Sequence, residues 1–370
     1  MRKLFTVILG ISILACLSIF AERTMYVKHK TAGVMSFKVS AKDSLYFWNT
    51  VADKDADESE LMMYVRTANN GLKSIPYKQV DSIYFSKTES SVVDEKDYKK
   101  DGALIKAAFK VSDTKSVYFS QGNLQFNAMQ GTHKTSDGEE AQGTWRFAEN
   151  QYDIIGKSYS GDIDSTYNGW IDLFYWGTSG WKSGAECYQP WSFSSYSSDY
   201  YSGGSQSNDL IGKYANADWG VYNAISNGGN EPEQWRTLTS KEWKYLCSKN
   251  QCTWGYIYGV GACLMLIPET FTAPEGITVE VVDIQEGVKN RYTKEQFALL
   301  EKHGVVVLPV GSSGYYWSSS SNGVGYYGSY AQVFQCSTTS KYSTTSIYVG
   351  IWAIRRNDGC GVRLVQDVSE

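Results

Sequence analysis

Between Gly311 and Ile354 the chain carries a single charged side chain, Lys341, while those 44 residues hold 7 Tyr, 11 Ser, 4 Thr and 6 Gly. Such a stretch lacks the Leu, Ile and Val of a self-sufficient core. It is also too aromatic and too weakly charged for a disordered linker. What remains is extended chain and turns laid over a core built elsewhere. Tyr gives large amphipathic contact area at low rotamer cost and small residues adapt around it, which is the composition of binding loops. Ordinary antiparallel strands with one wet face use the same residues. The stretch closes on Gly361-Val-Arg-Leu-Val, where Val362 and Leu364 alternate as in a final strand.

At 370 residues the chain is long for one domain and suggests two. The six prolines and the abundance of Gly, Ser and Tyr favour short strands and turns over a helical bundle. Net charge is −4 with no basic stripe, which argues against nucleic-acid binding. Residues 1–21 read as a secretory signal: Arg2 and Lys3 start it, Leu4 to Phe20 form the apolar run, and Ile19-Phe-Ala21 offers a cleavage site. Ile13-Leu-Ala-Cys16 has the local shape of a lipoprotein site, so a lipid anchor at Cys16 is the alternative route to a membrane. Cutting there would leave Leu17-Ser-Ile-Phe on the mature end, and cleavage after Ala21 is preferred. A permanent anchor is disfavoured by the short apolar span. The chain is expected to be exported, to the cell surface, the periplasm or the medium.

Removing the signal leaves Cys187, Cys247, Cys252, Cys263, Cys336 and Cys360. Export permits disulfides, but six cysteines allow 15 pairings. Zinc is a poor alternative, because Cys247 and Cys252 lack the two-residue spacing and His29, His133 and His303 are scattered. No metal or other cofactor is expected.

Residues 22–88 contain an internal repeat, with copies at 25–47 and 63–85. Met25-Tyr-Val, Gly33, Ser36, Asp43-Ser and Tyr46-Phe recur 38 residues later as Met63-Tyr-Val, Gly71, Ser74, Asp81-Ser and Tyr84-Phe. Each copy reads as a β-hairpin about a Gly turn, and a lone hairpin is marginal in water, so the copies are expected to pack together as a spacer. Residues 89–105 read as a charged linker and 106–370 as the main domain. Within it, Trp235 to Leu246 suggests a helix with a Thr239/Glu242 capping box, and Thr293 to Gly304 repeats the device with Gln296. Ala262 to Pro268 and Val305 to Pro309 read as buried strands ended by proline. Residues 188–206 read as a long Tyr/Ser-rich surface loop.

Six segments of the main domain occur in this order: Val117-Tyr-Phe-Ser-Gln-Gly-Asn-Leu-Gln, Trp145-Arg-Phe-Ala-Glu, Tyr167-Asn-Gly-Trp-Ile-Asp-Leu-Phe, Trp235-Arg-Thr-Leu-Thr, Gly314-Tyr-Tyr-Trp-Ser-Ser and Gly361-Val-Arg-Leu-Val. As a set spanning about residues 106–366, they resemble exported Bacteroidetes proteins of the Fibrobacter succinogenes major paralogous domain type. Those proteins belong with the C-type-lectin-like fold shared by formylglycine-generating enzymes and by the variable proteins of diversity-generating retroelements. The resemblance implies an α+β domain in which 116–120 pairs with 361–365, two helices flank a twisted antiparallel sheet, and long loops form the ligand face. In retroelement-diversified relatives the varied positions fall in the segment matching Ser320 to Ala353. The chain departs from calcium-dependent lectins, since Glu231-Pro-Glu is only an echo of their acidic-Pro-Asn loop and no Trp-Asn-Asp occurs. It also lacks the short motif around the reactive cysteine pair of the formylglycine-generating enzymes, although Cys336 and Cys360 lie in the matching region.

Catalytic constellations are weak. Asp162, Asp164 and Asp172 cluster in sequence but are expected to be solvated loop acids rather than a glycosidase pair. No Ser/His/Asp set and no phosphate-binding loop is present. Trp170, Trp176 and Trp181 suit a core role for the most part. The better candidates for a ligand surface are Asn322, Tyr326, Tyr327, Tyr330, Gln332, Tyr342, Tyr348 and Trp352, because Tyr and Trp are the usual anchors of interfaces. The expected function is ligand binding or adhesion, toward a protein or a glycan, by a Tyr/Ser-rich face. The alternatives are a formylglycine-generating-type or carbohydrate-active enzyme, or a structural surface or fimbrial subunit.

Overall fold

The computed structural model describes residues 23–29, 33–39, 44–49, 61–67, 71–76, 80–85, 98–157, 163–248, 252–282, 287–310, 314–323, 326–339 and 346–368. The signal segment with Cys16, and also Asp162 and Tyr342, lie outside the described residues. The chain divides into two units, Met1–Val92 and Val93–Glu370. Its class is mixed α+β, mostly sheet with few helices. Among the described residues no helix is long and apolar enough to cross a membrane.

The first unit shows what the repeat does. Its strands are β1 (Arg23–His29), β2 (Gly33–Val39), β3 (Ser44–Asn49), β4 (Leu61–Thr67), β5 (Gly71–Pro76) and β6 (Val80–Phe85). Each copy forms its hairpin, and its third strand crosses to the other copy. The sheets are accordingly β2-β1-β6 and β3-β4-β5. Met25 pairs with Phe85 and Tyr26 with Tyr84, while Met63 pairs with Phe47 and Tyr64 with Tyr46. The second set is the first carried through the 38-residue offset, so one recognition rule is used twice. Exchange of the third strand converts two marginal hairpins into two three-stranded sheets, the smallest number that is independently stable.

The second unit opens with β7 (Lys99–Lys100) and β8 (Ala103–Leu104). Tyr98, Ala103 and Leu104 are buried, so from Tyr98 onward the stretch expected as linker is part of the second unit's packing. Next come β9 (Phe109–Lys110), β10 (Ser116–Phe119), β11 (Leu124–Lys134) and β12 (Glu140–Phe147). After a long loop-rich stretch the short helix α1 (Trp219–Tyr222) leads to β13 (Arg236–Thr237) and helix α2 (Ser240–Ser248). Strands β14 (Cys252–Ile257), β15 (Gly261–Leu266) and β16 (Asn290–Tyr292), helix α3 (Lys294–Lys302) and β17 (Val306–Pro309) follow. The chain ends with β18 (Tyr315–Ser321), β19 (Tyr330–Thr339), β20 (Ser346–Arg355) and β21 (Leu364–Asp367).

The last strand returns to the first part of the unit. Val117, Tyr118 and Phe119 of β10 pair with Asp367, Gln366 and Val365 of β21, a register three residues further along than the resemblance implied. β13 covers the other edge of β21 and β9 the other edge of β10. Separate sheets are formed by β16-β14-β15-β17 and by β18-β19-β20.

Both capping boxes form. Thr293 Oγ1 accepts from Gln296 N and Gln296 Oε1 from Thr293 N, while Thr239 and Glu242 exchange the same bonds ahead of α2. Helix α2 begins at Ser240 rather than near Trp235, because Arg236 and Thr237 are taken up by β21. Trp235 is buried instead, its indole donating to Gly228 O at 2.7 Å. Trp145, Trp176, Trp219, Trp243, Trp254 and Trp317 are likewise fully buried. Rings of this size remove roughly 150–250 Å² each from water, worth at most about 4–6 kcal/mol apiece. Trp243 stacks flat on Phe334 of β19, with centroids 4.6 Å apart and planes at 5°, which seats α2 on the β18-β19-β20 sheet.

Candidate functional site

The uncharged tail forms β18, β19 and β20, and their register decides which side chains share a face. β19 and β20 pair without interruption from Tyr330↔Arg355 to Thr339↔Ser346. Successive strand residues point to opposite faces and directly paired residues to the same one. Trp352 therefore shares a face with Val333, while Tyr348 is paired along the backbone with Ser337. Gln332 and Tyr330 occupy the opposite face, opposite Ala353 and Arg355. On the Trp352 side, a row runs across the sheet from Tyr315 through Gln335 to Gly350. Gln335 Nε2 donates to Tyr315 Oη at 3.3 Å. At Gly350 this row has no side chain, and Trp352 lies beside that position along the edge strand. Trp352 is 55% exposed, the large apolar side chain that the sheet presents to solvent most clearly.

The sequence candidates thus divide between two sides of one sheet. Asn322 and Gln332 come together, Gln332 Nε2 lying 3.4 Å from Asn322 Oδ1, and Asn322 N donates to Tyr330 O. Tyr330 is half-buried at the start of β19. Tyr326 and Tyr327 sit on a single helical turn, 326–329, between β18 and β19. For these two and for Tyr348 the description extends to the backbone only. Trp352 stands apart from Asn322 and Gln332.

Sequence reasoning separated the 188–206 loop from the tail, and the structure joins them. Arg356, just past β20, is fully buried. Its guanidinium donates to Tyr200 O and Gln206 O, and its plane covers the rings of Trp176 (4.2 Å) and Tyr201 (4.8 Å). Burial pushes this cation down to about 10, with Tyr201 and Asp209 acting the other way. Around this clasp the loop follows the tail closely. Leu210 N donates to Ser319 O, Ser321 N to Asp209 Oδ1 at 2.7 Å, and Ser321 Oγ to Ser207 O. Asn357 bonds both Ser195 O and Ser197 Oγ. At Gly328 a Cβ would stand 2.1 Å from Gln206 Oε1, so the turn carrying Tyr326 and Tyr327 lies directly against the loop. The loop in turn presents Phe193 (60% exposed) and Tyr196 (70%) to solvent. Neither was singled out from the sequence. The one available signal was Arg356 itself, a cation following a long uncharged run.

The groups that could support chemistry are otherwise engaged. Asp172 is buried, contrary to its expected place on a solvated loop; it accepts from Ile155 N and Gly156 N at 2.6 and 2.9 Å, and desolvation raises its pKa. Asp164 is exposed and bonds Thr166 N and Oγ1, which lowers its pKa. Both ring nitrogens of His133 are bonded, one to Gly143 O and one to Asn223 Oδ1, and burial lowers its pKa. Cys336 and Cys360 are each fully buried, in different apolar clusters, and burial raises both thiols well above their usual range. Thiols held neutral in apolar surroundings are poor nucleophiles. Among the described residues no three His, Cys, Asp or Glu side chains are placed to hold a metal ion. Among the described residues, one shallow concavity is lined by Asp172, Tyr315 and Tyr316 and another by Phe126, Tyr167 and Trp191.

Comparison with protein-family models, with curated protein sequences and with solved structures finds no match for this chain.

Proposed function

We propose that the second unit is a ligand-recognition domain of the C-type-lectin-like kind, carried by an exported chain and used for binding or adhesion to a protein or glycan. Kinship with the Fibrobacter succinogenes major paralogous domain type is part of the same reading. The observation that carries the function is the joint built around Arg356. A buried, doubly stacked cation is costly to place, and here it fixes a Tyr/Ser-rich loop against a Tyr/Ser-rich tail. The loop and the tail are thereby held together before any ligand arrives, which reduces the ordering cost of binding. Exposed Phe193, Tyr196 and Trp352 supply stacking area, and Ser, Asn and Gln supply hydrogen bonds. The fold reading is supported by the pairing of β10 with β21 and by two capped helices beside antiparallel sheets.

The test is binding of the full chain to glycan and protein arrays, beside Trp352→Ala and a Phe193→Ala/Tyr196→Ala double variant. Specific binding that weakens tenfold or more in either variant supports the reading. Binding indifferent to both variants, or no binding at all, contradicts it.

A further inference from the structure

Cys247 lies in the last turn of α2 and Cys252 is the first residue of β14. Their sulfurs are 3.4 Å apart, although the two belong to different elements. That is van der Waals contact for two thiols, and closing it to a disulfide requires each sulfur to move by well under 1 Å from the present separation to about 2.0 Å. Cys252 is buried while Cys247 is partly open to solvent, so an oxidant reaches the pair through Cys247. The remaining thiols differ. Cys187 and Cys360 have no sulfur partner among the described residues, and Cys263 and Cys336 are fully buried within the core.

We infer that Cys247 and Cys252 are a redox-modification site that closes to a disulfide, locking the end of α2 to the start of β14. With a low-molecular-weight disulfide such as oxidised glutathione as the co-reactant, the steps balance. The Cys247 thiolate attacks one glutathione sulfur, forming a mixed disulfide and releasing one glutathione. The Cys252 thiolate then attacks Cys247 Sγ and expels the second glutathione. Two protein thiols are oxidised, one glutathione disulfide is reduced to two thiols, and the two thiol protons pass to the released thiolates. Both thiols must ionise, and contact with Cys252 together with burial raises the Cys247 thiol. The rate therefore climbs with pH through the neutral range. The structural consequence falls on α2, whose Trp243 stacks on Phe334 in the middle strand of the tail sheet. This inference is independent of the recognition reading.

The experiment is disulfide mapping of the full chain after incubation with oxidised glutathione, acid quenching, alkylation in denaturant and tryptic digestion. Cleavage after Lys244 and Lys249 places Cys247 and Cys252 on separate peptides. The expected product joins Tyr245–Lys249 to the peptide beginning at Asn250, with fragmentation assigning the bond to Cys252 rather than to Cys263 on the same peptide. The thermal midpoint of the oxidised protein is expected to exceed that of the reduced protein by roughly 5 °C, as for a short closed loop. Cys247→Ser, a mild change at a half-buried position, should abolish that difference. Alkylated Cys247 and Cys252, a Cys252–Cys336 bond in their place, or a midpoint difference that survives in Cys247→Ser overturns the inference.

Discussion

Replacing Arg356 by Ala tests the joint that holds the long loop to the tail. The guanidinium makes two bonds to carbonyls, of buried Tyr200 and half-buried Gln206, and hydrogen bonds from a charged donor are worth about 1.5–3 kcal/mol each. Its stacking on Trp176 and Tyr201 adds about 2 kcal/mol in a desolvated setting. Against these stands the cost of burying the ion. A pKa held at about 10 instead of 12.5 corresponds to about 3 kcal/mol, which the variant no longer bears. Two stranded carbonyls and the void left by a large side chain shift the balance back toward loss. The net destabilisation is about 3–4 kcal/mol, or roughly 5–7 °C in thermal midpoint for a unit of this size. The effect should also be local. The Leu210 amide bonds the tail directly, and it and the neighbouring loop amides should exchange with solvent at least tenfold faster. Calorimetry combined with hydrogen-exchange mass spectrometry reads both. A midpoint shift under about 2 °C with unchanged exchange across 196–210 would refute the reasoning.

Four further outcomes follow from local geometry. Gly220→Ala should cost about 2–3 kcal/mol in denaturant unfolding, because the new Cβ meets Trp235 Cβ at 2.6 Å and Trp235 O at 2.8 Å, neither of which can swing aside; a loss under about 0.5 kcal/mol counts against it. Asp218 is buried and its carboxyl is pushed up to about 6 from 3.8, mainly by desolvation, while bonds from Thr237 and Gly220 and the nearby Arg236 resist. Its protonated form is favoured in the fold, so its contribution to stability is full below about pH 4 and is lost as pH rises through about 6. Carboxyl NMR should place its midpoint near 6, and a midpoint at or below about 4 contradicts the burial argument. Thr293→Ala removes one half of the α3 capping box and should cost about 1 kcal/mol, whereas Trp352→Ala, at an exposed position, should alter stability by less than about 0.5 kcal/mol.

What could be read from the sequence was local. Thr239 with Glu242 and Thr293 with Gln296 each mark a helix start through bonds spanning three residues, and both helices begin where those bonds form. The repeat at 38 residues identified hairpins, because a Gly turn and its flanking strands are neighbours in the chain. Exchange of the third strands was not legible, since β6 could equally have folded back onto its own copy. The candidate residues of the tail were legible as a composition and illegible as a site. Tyr330 and Gln332 are two residues apart and face one way, while Trp352 faces the other, and only the β19–β20 register separates them. Arg356 clasps carbonyls about 150 residues earlier in the chain, and no local pattern announces a contact of that range. Asp172 shows the same limit: it sits between Ile171 and Leu173 in sequence, and the amides that hold its carboxylate lie 16 and 17 residues earlier, at 156 and 155.

The central claim is that the loop and the tail act as one recognition surface. Hydrogen exchange with and without a ligand drawn from the arrays tests it most directly. Amides of 195–211 and of 318–332 are expected to become protected together, and Arg356→Ala to uncouple the two segments. Protection confined to one segment, or lying wholly outside both, would contradict it.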